Sequence, residues 1–202
     1  MRLYLASQSP RRAQLLAQIG QAHELLLPDA GEDAEALEAM QAGEPPVAYV
    51  QRVTEAKLHA ALARHARLGL PLGAVLAADT TVALGDRILG KPGDAQEAAE
   101  MLSALSGQAH QVHTAVAIAD LQGSVHRAVS SSTVWVATLS AGEVQAYIGT
   151  GEPFGKAGAY GIQGHFAAWV SRIDGSHSGI MGLPLYETAQ LLRAVRGQGA
   201  DV

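Results

Sequence analysis

Three short groups of residues carry chemistry that an ordinary folded chain does not require. The first lies in Ala74-Val-Leu-Ala-Ala-Asp-Thr-Thr-Val-Ala-Leu84, a nearly continuous apolar run interrupted only by Asp79, Thr80 and Thr81. Such a run reads as a strand covered on both faces. A carboxylate inside it is costly unless it is paired, hydrogen-bonded or bound to a cation. Asp79 is therefore either a working acid, as base or metal ligand, or an acid satisfied at a strand end. The second group is Leu3-Tyr-Leu-Ala-Ser-Gln-Ser-Pro-Arg-Arg12, which reads as a short strand, a hydroxyl-bearing loop and the start of a helix. Ser9 stands at the N-cap and Pro10 at the first helical position. Arg11 and Arg12 then fall in the first turn, against the positive end of the helix dipole, which is unfavourable unless an anion docks there. Free N–H groups, serine hydroxyls and two guanidinium groups converging on a helix N-terminus make a phosphate site; the alternative is two solvated arginines. The third group is Gly90-Lys91-Pro92, in which the lysine is either a point charge for a phosphate or an exposed turn residue.

Acidic residues are also unevenly spread. Positions 13–51 hold no lysine or arginine but contain Glu24, Asp29, Glu32, Asp33, Glu35, Glu38 and Glu44. Most of such a run is a solvated surface. One or two carboxylates suffice for Mg²⁺ when a substrate supplies phosphates, and Asp29 and Glu32, just past an apolar segment, are the better placed.

These groups need elements to hold them. Leu15, Leu16 and Ile19 give the N-terminal helix a buried stripe, and Gly20 stops it. A short strand is expected within 23–27. Pro45-Pro46 opens a long helix to about Leu68, with Val47, Val50, Val53, Leu58 and Leu62 on its apolar side. Gly85-Asp86 turns the chain after the strand that carries Asp79. A helix over 94–105 has Asp94 as N-cap, Glu97 completing a capping box, Met101, Leu102 and Leu105 buried, and Gly107 as its stop. Alternation from His110 to Ile118 marks a half-buried strand, answered across Gly123 by a returning strand over 125–137. His110 and His113 point to opposite faces of that strand and cannot chelate together. Ser140 with Glu143 is a second capping box, before Val144, Tyr147 and Ile148. Glu152-Pro-Phe-Gly-Lys-Ala-Gly-Ala-Tyr-Gly-Ile-Gln-Gly164 is rich in glycines that let backbone approach a ligand, and Gln163 offers both a donor and an acceptor to a base edge. The pattern then predicts a strand over 166–173, a flexible polar loop over 175–179, a last helix from Gly182-Leu-Pro184 through Leu192, and a frayed tail over 197–202. No linker or repeat divides the chain, so residues 1–202 read as one mixed α/β domain.

Composition bounds the partners. The chain has 202 residues, 48% of them apolar, and no cysteine, which excludes disulfides and thiolate metal sites. A formal charge of −5 and 4% aromatic content argue against a nucleic-acid binder. An acidic chain with local cations suits a small anionic ligand. No apolar run is long enough to cross a membrane and no cleavable signal pattern is present, so the expected location is the cytoplasm.

Four stretches together resemble one family, the Maf nucleotide pyrophosphatases, historically called septum-formation inhibitors. They are Leu5-Ala-Ser-Gln-Ser-Pro-Arg-Arg12; Ala78-Asp-Thr-Thr with Ile88-Leu-Gly-Lys-Pro92; Met101-Leu-Ser-Ala-Leu-Ser-Gly107 through His110 to Thr114; and Gly175-Ser with Gly182-Leu-Pro-Leu185. They occur in family order over nearly the whole chain. Lys156-Ala-Gly-Ala-Tyr-Gly-Ile-Gln-Gly164 resembles the subgroup that acts on dTTP and UTP. The resemblance implies a mixed twisted sheet flanked by helices, with two lobes around a central cleft, similar to the inosine triphosphate pyrophosphatases, and commonly a homodimer. It implies hydrolysis between the α and β phosphates with Mg²⁺ or Mn²⁺. By position, Asp79 matches the family's catalytic carboxylate, as base or metal ligand, and Glu32 matches an acid of its metal-binding pair, with Gly31 replacing the aspartate before it. Ser7, Arg12 and Lys91 match phosphate contacts, with Arg11 beside them; Thr80 and Gln163 match nucleotide contacts, and Lys57 matches a lysine of the long helix. Gly155, His177 and Thr54 depart from the pattern outside the catalytic set. Other readings are the same chemistry on 7-methyl-GTP, a nucleotidyltransferase, and a non-catalytic regulator of septum formation.

Overall fold

The apolar run around Asp79 forms the centre of a mixed seven-stranded sheet. The computed structural model describes residues 1–29, 31–33 and 36–197. In chain order the elements are β1 (Leu3–Leu5), α1 (Pro10–Gln18), β2 (Glu24–Leu25), α2 (Pro46–Arg67), β3 (Ala74–Leu84), β4 (Arg87–Leu89), α3 (Ala95–Leu105), β5 (Ala109–Ala119), β6 (Val125–Val136), α4 (Ala141–Gly149), β7 (Val170–Asp174), α5 (His177–Met181) and α6 (Leu185–Gly197). The strand order is β2-β1-β3-β5-β6-β7, with β4 also on β3. β1 runs parallel to both its neighbours, and the remaining pairs are antiparallel.

The pairing of β3 explains where a cleft opens. Along one edge β3 pairs with β5 from Val75 to Ala83. Along the other it pairs with β1 only as far as Leu76, and with β4 only from Val82. The intervening segment, which holds Asp79, Thr80 and Thr81, has no strand on that side. The cores divide at the same place. Ala74, Leu76 and Ala78 pack with β1, Leu15 and Leu16 of α1, and Leu192 and Val195 of α6. Val82 packs instead with α3, α4 and residues 159–166. The strand thus runs from one core to the other, and its polar residues lie between them.

Local chemistry accounts for most element boundaries. Ser140 and Glu143 close a full capping box on α4. On α3 the box is half made: the Asp94 carboxylate accepts from the Glu97 N–H, but the Glu97 carboxylate accepts from Gly93, one residue earlier than expected. Gly158 takes φ +67, and a Cβ there would lie 2.8 Å from Val82, so this glycine lets residues 157–159 lie directly on β3.

Several expectations are corrected. Ile19 is not buried but 38% exposed, because it is the C-cap of α1 and its backbone has already left the helix. Val47, in the first turn of α2, is likewise exposed. Residues 165–169 form a 3₁₀ turn rather than the start of a strand, and β7 begins at Val170. The spacing of Phe166 and Trp169 is the reason: at three residues apart they fall on one side of a 3₁₀ turn, where both pack against Tyr147. In a strand they would face apart. The polar segment at 175–179 contains the start of α5, capped by Ser176, whose Oγ accepts from the Gly179 N–H. Gly197 closes α6 rather than opening a tail, and 198–202 lie outside the described residues.

Candidate active site

The loop after β1 and the first turn of α1 build one wall of the cleft. Ser9 caps α1 by backbone conformation only, its hydroxyl making no cap bond. Ser7 Oγ accepts from the Ser9 N–H at 3.2 Å and from Arg12 Nη1 at 3.0 Å. Arg12 Nε donates to the Gly182 carbonyl at 2.7 Å, and Nη2 to Thr80 Oγ1 at 3.4 Å. Thr114 Oγ1 spends its proton on the Gly179 carbonyl at 2.7 Å. Thr80 must therefore donate to Thr114 across 2.9 Å, which leaves its lone pairs for Arg12. A chain from Gly179 through Thr114 and Thr80 to Arg12 fixes the guanidinium plane. Burial pulls the Arg12 pKa down and nearby Asp79 opposes that shift; the group stays charged. Arg11, beside it, donates from Nε to the Met181 carbonyl at 3.3 Å, and burial lowers its pKa as well.

The opposite wall is made by α2 and the segment before it. Lys57 Nζ lies between two carboxylates, 2.6 Å from Asp79 Oδ1 and 2.7 Å from Glu38 Oε1. The second oxygen of Glu38 accepts from Lys91 Nζ at 2.8 Å. Burial disfavours the Glu38 carboxylate, but the two lysines outweigh it and hold its pKa below the usual range. The Glu38 backbone is held as well. Tyr49 Oη donates to its carbonyl at 2.8 Å, Arg52 donates to the Ala39 carbonyl at 2.9 Å, and Arg52 also grips Glu44 with both arms of its fork, each at 2.7 Å. Burial, followed by Asp79 and Glu38, pushes the Tyr49 phenol up to about 12, so it remains a donor.

Both walls open on one cavity of about 590 Å³, and Ser7, Arg11, Arg12, Glu32, Lys57, Asp79, Thr80, Lys91 and Gln163 all line it, whereas Asp29, the other acid expected to ligate, does not. They do not all meet. Ser7, Arg12 and Thr80 form one hydrogen-bonded group, and Lys57 with Asp79 and Lys91 form another through Glu38. Glu32 is on the rim, but its carboxylate is bound by Arg64 of α2, whose Nε lies 2.9 Å from Oε1, and by Arg67 at 2.8 Å. Arg67 also takes Asp29, at 2.7 Å. Gln163 lines the mouth with its side chain exposed. Near it Lys156 donates to the Glu152 carbonyl, and burial, then Arg11, lowers its pKa.

Sequence reasoning missed Glu38, Tyr49 and Arg64. Glu38 is one acid among seven in a stretch without cations, and its spacing does not distinguish it. Tyr49 and Arg52 carried a usable signal, since a separation of three puts them on one side of α2.

A family model described as Maf-like protein matches residues 2–195. The chain belongs to the Maf family. Among curated relatives, a dTTP/UTP pyrophosphatase of Cupriavidus metallidurans is 61% identical over 95% of each chain, and one of Cupriavidus pinatubonensis is 58% identical over 96% of each. A third, from Albidiferax ferrireducens, is 56% identical over 95% of this chain and 96% of the relative. Among solved structures, a HAM1 protein from Coxiella burnetii superposes with a TM-score of 0.51 over 96% of this chain and 99% of that one, at 14% identity. That likeness concerns fold alone. It agrees with the expected mixed sheet flanked by helices, and the split core of this Maf chain supplies the two lobes around its cleft. No helix among the described residues is long and apolar enough to cross a membrane.

Proposed function

We propose that this chain hydrolyses dTTP and UTP between the α and β phosphates, yielding the monophosphate and pyrophosphate, with CTP and modified pyrimidine triphosphates as lesser substrates. One observation carries the reading: three cationic side chains, Arg12, Lys57 and Lys91, line a single cavity with Asp79, and Lys57 contacts it directly. The names of the relatives, at 55–61% identity, supply the substrate class.

In this reading the phosphates lie between the two walls. Ser7, Arg11 and Arg12 take the phosphate oxygens from the α1 side, with Arg12 already aimed by Thr80 and Gly182. Lys57 and Lys91 take them from the α2 side. The nucleoside extends toward Gln163, whose amide matches the donor and acceptor pattern of a pyrimidine edge. Asp79 accepts the proton of the attacking water as its oxygen bonds to phosphorus, and pyrophosphate leaves with the electron pair of the broken bond.

The donor set suits Mg²⁺ or Mn²⁺, because Asp79 and Glu38 present two carboxylates to one small cationic position, now filled by the Lys57 ammonium. Glu32, the other carboxylate expected to ligate, can do so only by exchanging Arg64 and Arg67. When bound, the cation supplies charge neutralisation of the phosphates. A homodimer belongs to the same reading and rests on the family resemblance, and light scattering tests it; a cytoplasmic location is proposed beside it and does not rest on that resemblance.

The test is pyrophosphate release, with Mg²⁺, from dTTP, UTP, CTP, 5-methyl-UTP and 7-methyl-GTP. Preference for dTTP and UTP is expected. Preference for 7-methyl-GTP would keep the chemistry and overturn the base reading. No release from any of them by folded protein would overturn the hydrolase reading.

A further inference from the structure

Gln163 reaches the mouth of the cleft from a tight turn whose two ends are tied to one pair of side chains. The Gly164 N–H donates to the Gly161 carbonyl at 3.0 Å, closing the turn Gly161-Ile-Gln-Gly164. At its first residue, the Gly161 N–H donates to Oη of Tyr147, on α4, at 3.3 Å. Directly after it, the His165 N–H donates to Glu152 Oε2 at 3.0 Å. Tyr147 Oη in turn donates to Glu152 Oε1 at 2.7 Å, which joins the two ties. A Cβ on Gly164 would overlap that carboxylate, so the turn backbone lies directly against it. Glu152 is itself held: its N–H donates to Thr150 Oγ1 at 3.1 Å, and its carbonyl accepts from Lys156. Tyr147 is buried and packs on Phe166. Within the turn Ile162 is buried in the core, and Gln163 carries the exposed side chain.

This pair touches none of the side chains assigned to the phosphates or to the attacking water. Burial works against the Glu152 carboxylate, yet the His165 N–H and the Tyr147 hydroxyl outweigh it and hold its pKa below the usual range. An ionised carboxylate only accepts, so Tyr147 must donate to it, which leaves the phenol lone pairs for Gly161. Each donor therefore has one place to go, and the turn has one position. That matters for a base contact made by an exposed amide, since a misplacement of about 1 Å is enough to lose the pairing. Resting on the reading of this cavity as a pyrimidine triphosphate site, we propose that Glu152, with Tyr147, is a positioning residue that sets base selectivity by holding the turn that presents Gln163.

The test uses two variants, Glu152→Gln and Tyr147→Phe, assayed for pyrophosphate release from dTTP, UTP and CTP with Mg²⁺. Glutamine keeps the shape but offers one acceptor where two donors arrive, so one end of the turn comes loose. Phenylalanine keeps the packed ring and frees the Gly161 end. In each variant KM for dTTP and UTP is expected to rise about tenfold, or about 1.4 kcal/mol, with kcat nearly unchanged and CTP little affected. A double-mutant cycle separates positioning from general destabilisation: added to Gln163→Ala, either change should barely alter the dTTP-to-CTP ratio of kcat/KM further. Hydrogen exchange probes the ties in the wild-type chain, where the Gly161 and His165 amides are expected to be protected. Unprotected amides, an unaltered ratio in the variants, an equal loss on all three nucleotides, or an undiminished effect in the Gln163→Ala background would overturn the proposal. Each of these would leave the hydrolase reading intact. If Gln163→Ala itself kept the full ratio, the base reading and the proposal would fall together.

Discussion

The two walls of the cleft hold their cations by opposite means. Every hydrogen bond of Arg12 ends on an uncharged oxygen, of Ser7, Thr80 or Gly182. Every hydrogen bond of Lys57 and Lys91 ends on a carboxylate. Neutral acceptors fix the direction of a cation without cancelling its charge, whereas carboxylates fix its position and cancel it. The arginine wall is therefore ready for an anion at all times, and the lysine wall becomes so only when its internal anions are given another partner. β3 serves both, because its successive residues Asp79 and Thr80 point to opposite faces, and its edge is open between the β1 and β4 pairings.

Removing the charge that joins the lysine wall to the chemistry has the largest expected effect. Asp79→Asn should lower kcat on dTTP by on the order of 10³-fold, within the usual range for a lost general base. The fold should survive, since Lys57 keeps Glu38 as a partner. Steady-state kinetics with an unfolding midpoint measure both. Normal turnover by the variant would remove Asp79 from the mechanism.

The contrast between the walls is tested most directly by charge-conserving and charge-removing changes on either side. Arg12→Lys keeps the charge but loses the planar fork that reaches Ser7, Thr80 and Gly182 together. Charged hydrogen bonds contribute about 1.5–3 kcal/mol each, so kcat/KM should fall by roughly 10²-fold. Lys91→Ala deletes a more exposed cation whose charge Glu38 already offsets, and should cost only about tenfold, mostly in KM. If the arginine change were the milder of the two, the idea of a permanently charged wall facing a compensated one would be wrong.

The part of this arrangement legible in sequence is the part set locally. Asp79 stands out because desolvation makes a carboxylate in an apolar strand conspicuous, and the N-terminal serines and arginines because cap and dipole rules apply within one turn. The long helix and the Ser140 box were legible for the same reason. Glu38 was not, because its meaning comes from two lysines 19 and 53 positions away and from a loop shaped by Tyr49 and Arg52. Glu32 and Asp29 looked free in the sequence, yet the helix that brings Lys57 to the cleft also brings Arg64 and Arg67 to these acids. The misread 3₁₀ turn and α5 share another cause: five residues are too few to show a period, and tertiary contacts of Phe166 and Trp169 decide the conformation.

The smallest expected effect on catalysis comes from behind the glycine-rich segment, and it marks where the two walls end. His110 is fully buried, shares a 2.8 Å hydrogen bond between Nε2 and Tyr160 Oη, and leaves Nδ1 without a partner among the described residues. Burial pushes its pKa down to about 4, against about 6.5 in an unfolded chain. Between these values the unfolded chain takes up a proton that the folded chain refuses. Stability is therefore full above about pH 6.5 and falls as pH drops toward 4, by up to about 3 kcal/mol from this group. Buried His113, shifted in the same direction, adds to the slope. His110→Gln should flatten much of the pH dependence of the urea midpoint in that window while changing kcat/KM on dTTP less than about threefold above neutrality. A large loss of turnover at that pH would mean that the His110–Tyr160 pair belongs to the chemistry, and that the cleft has a third working side.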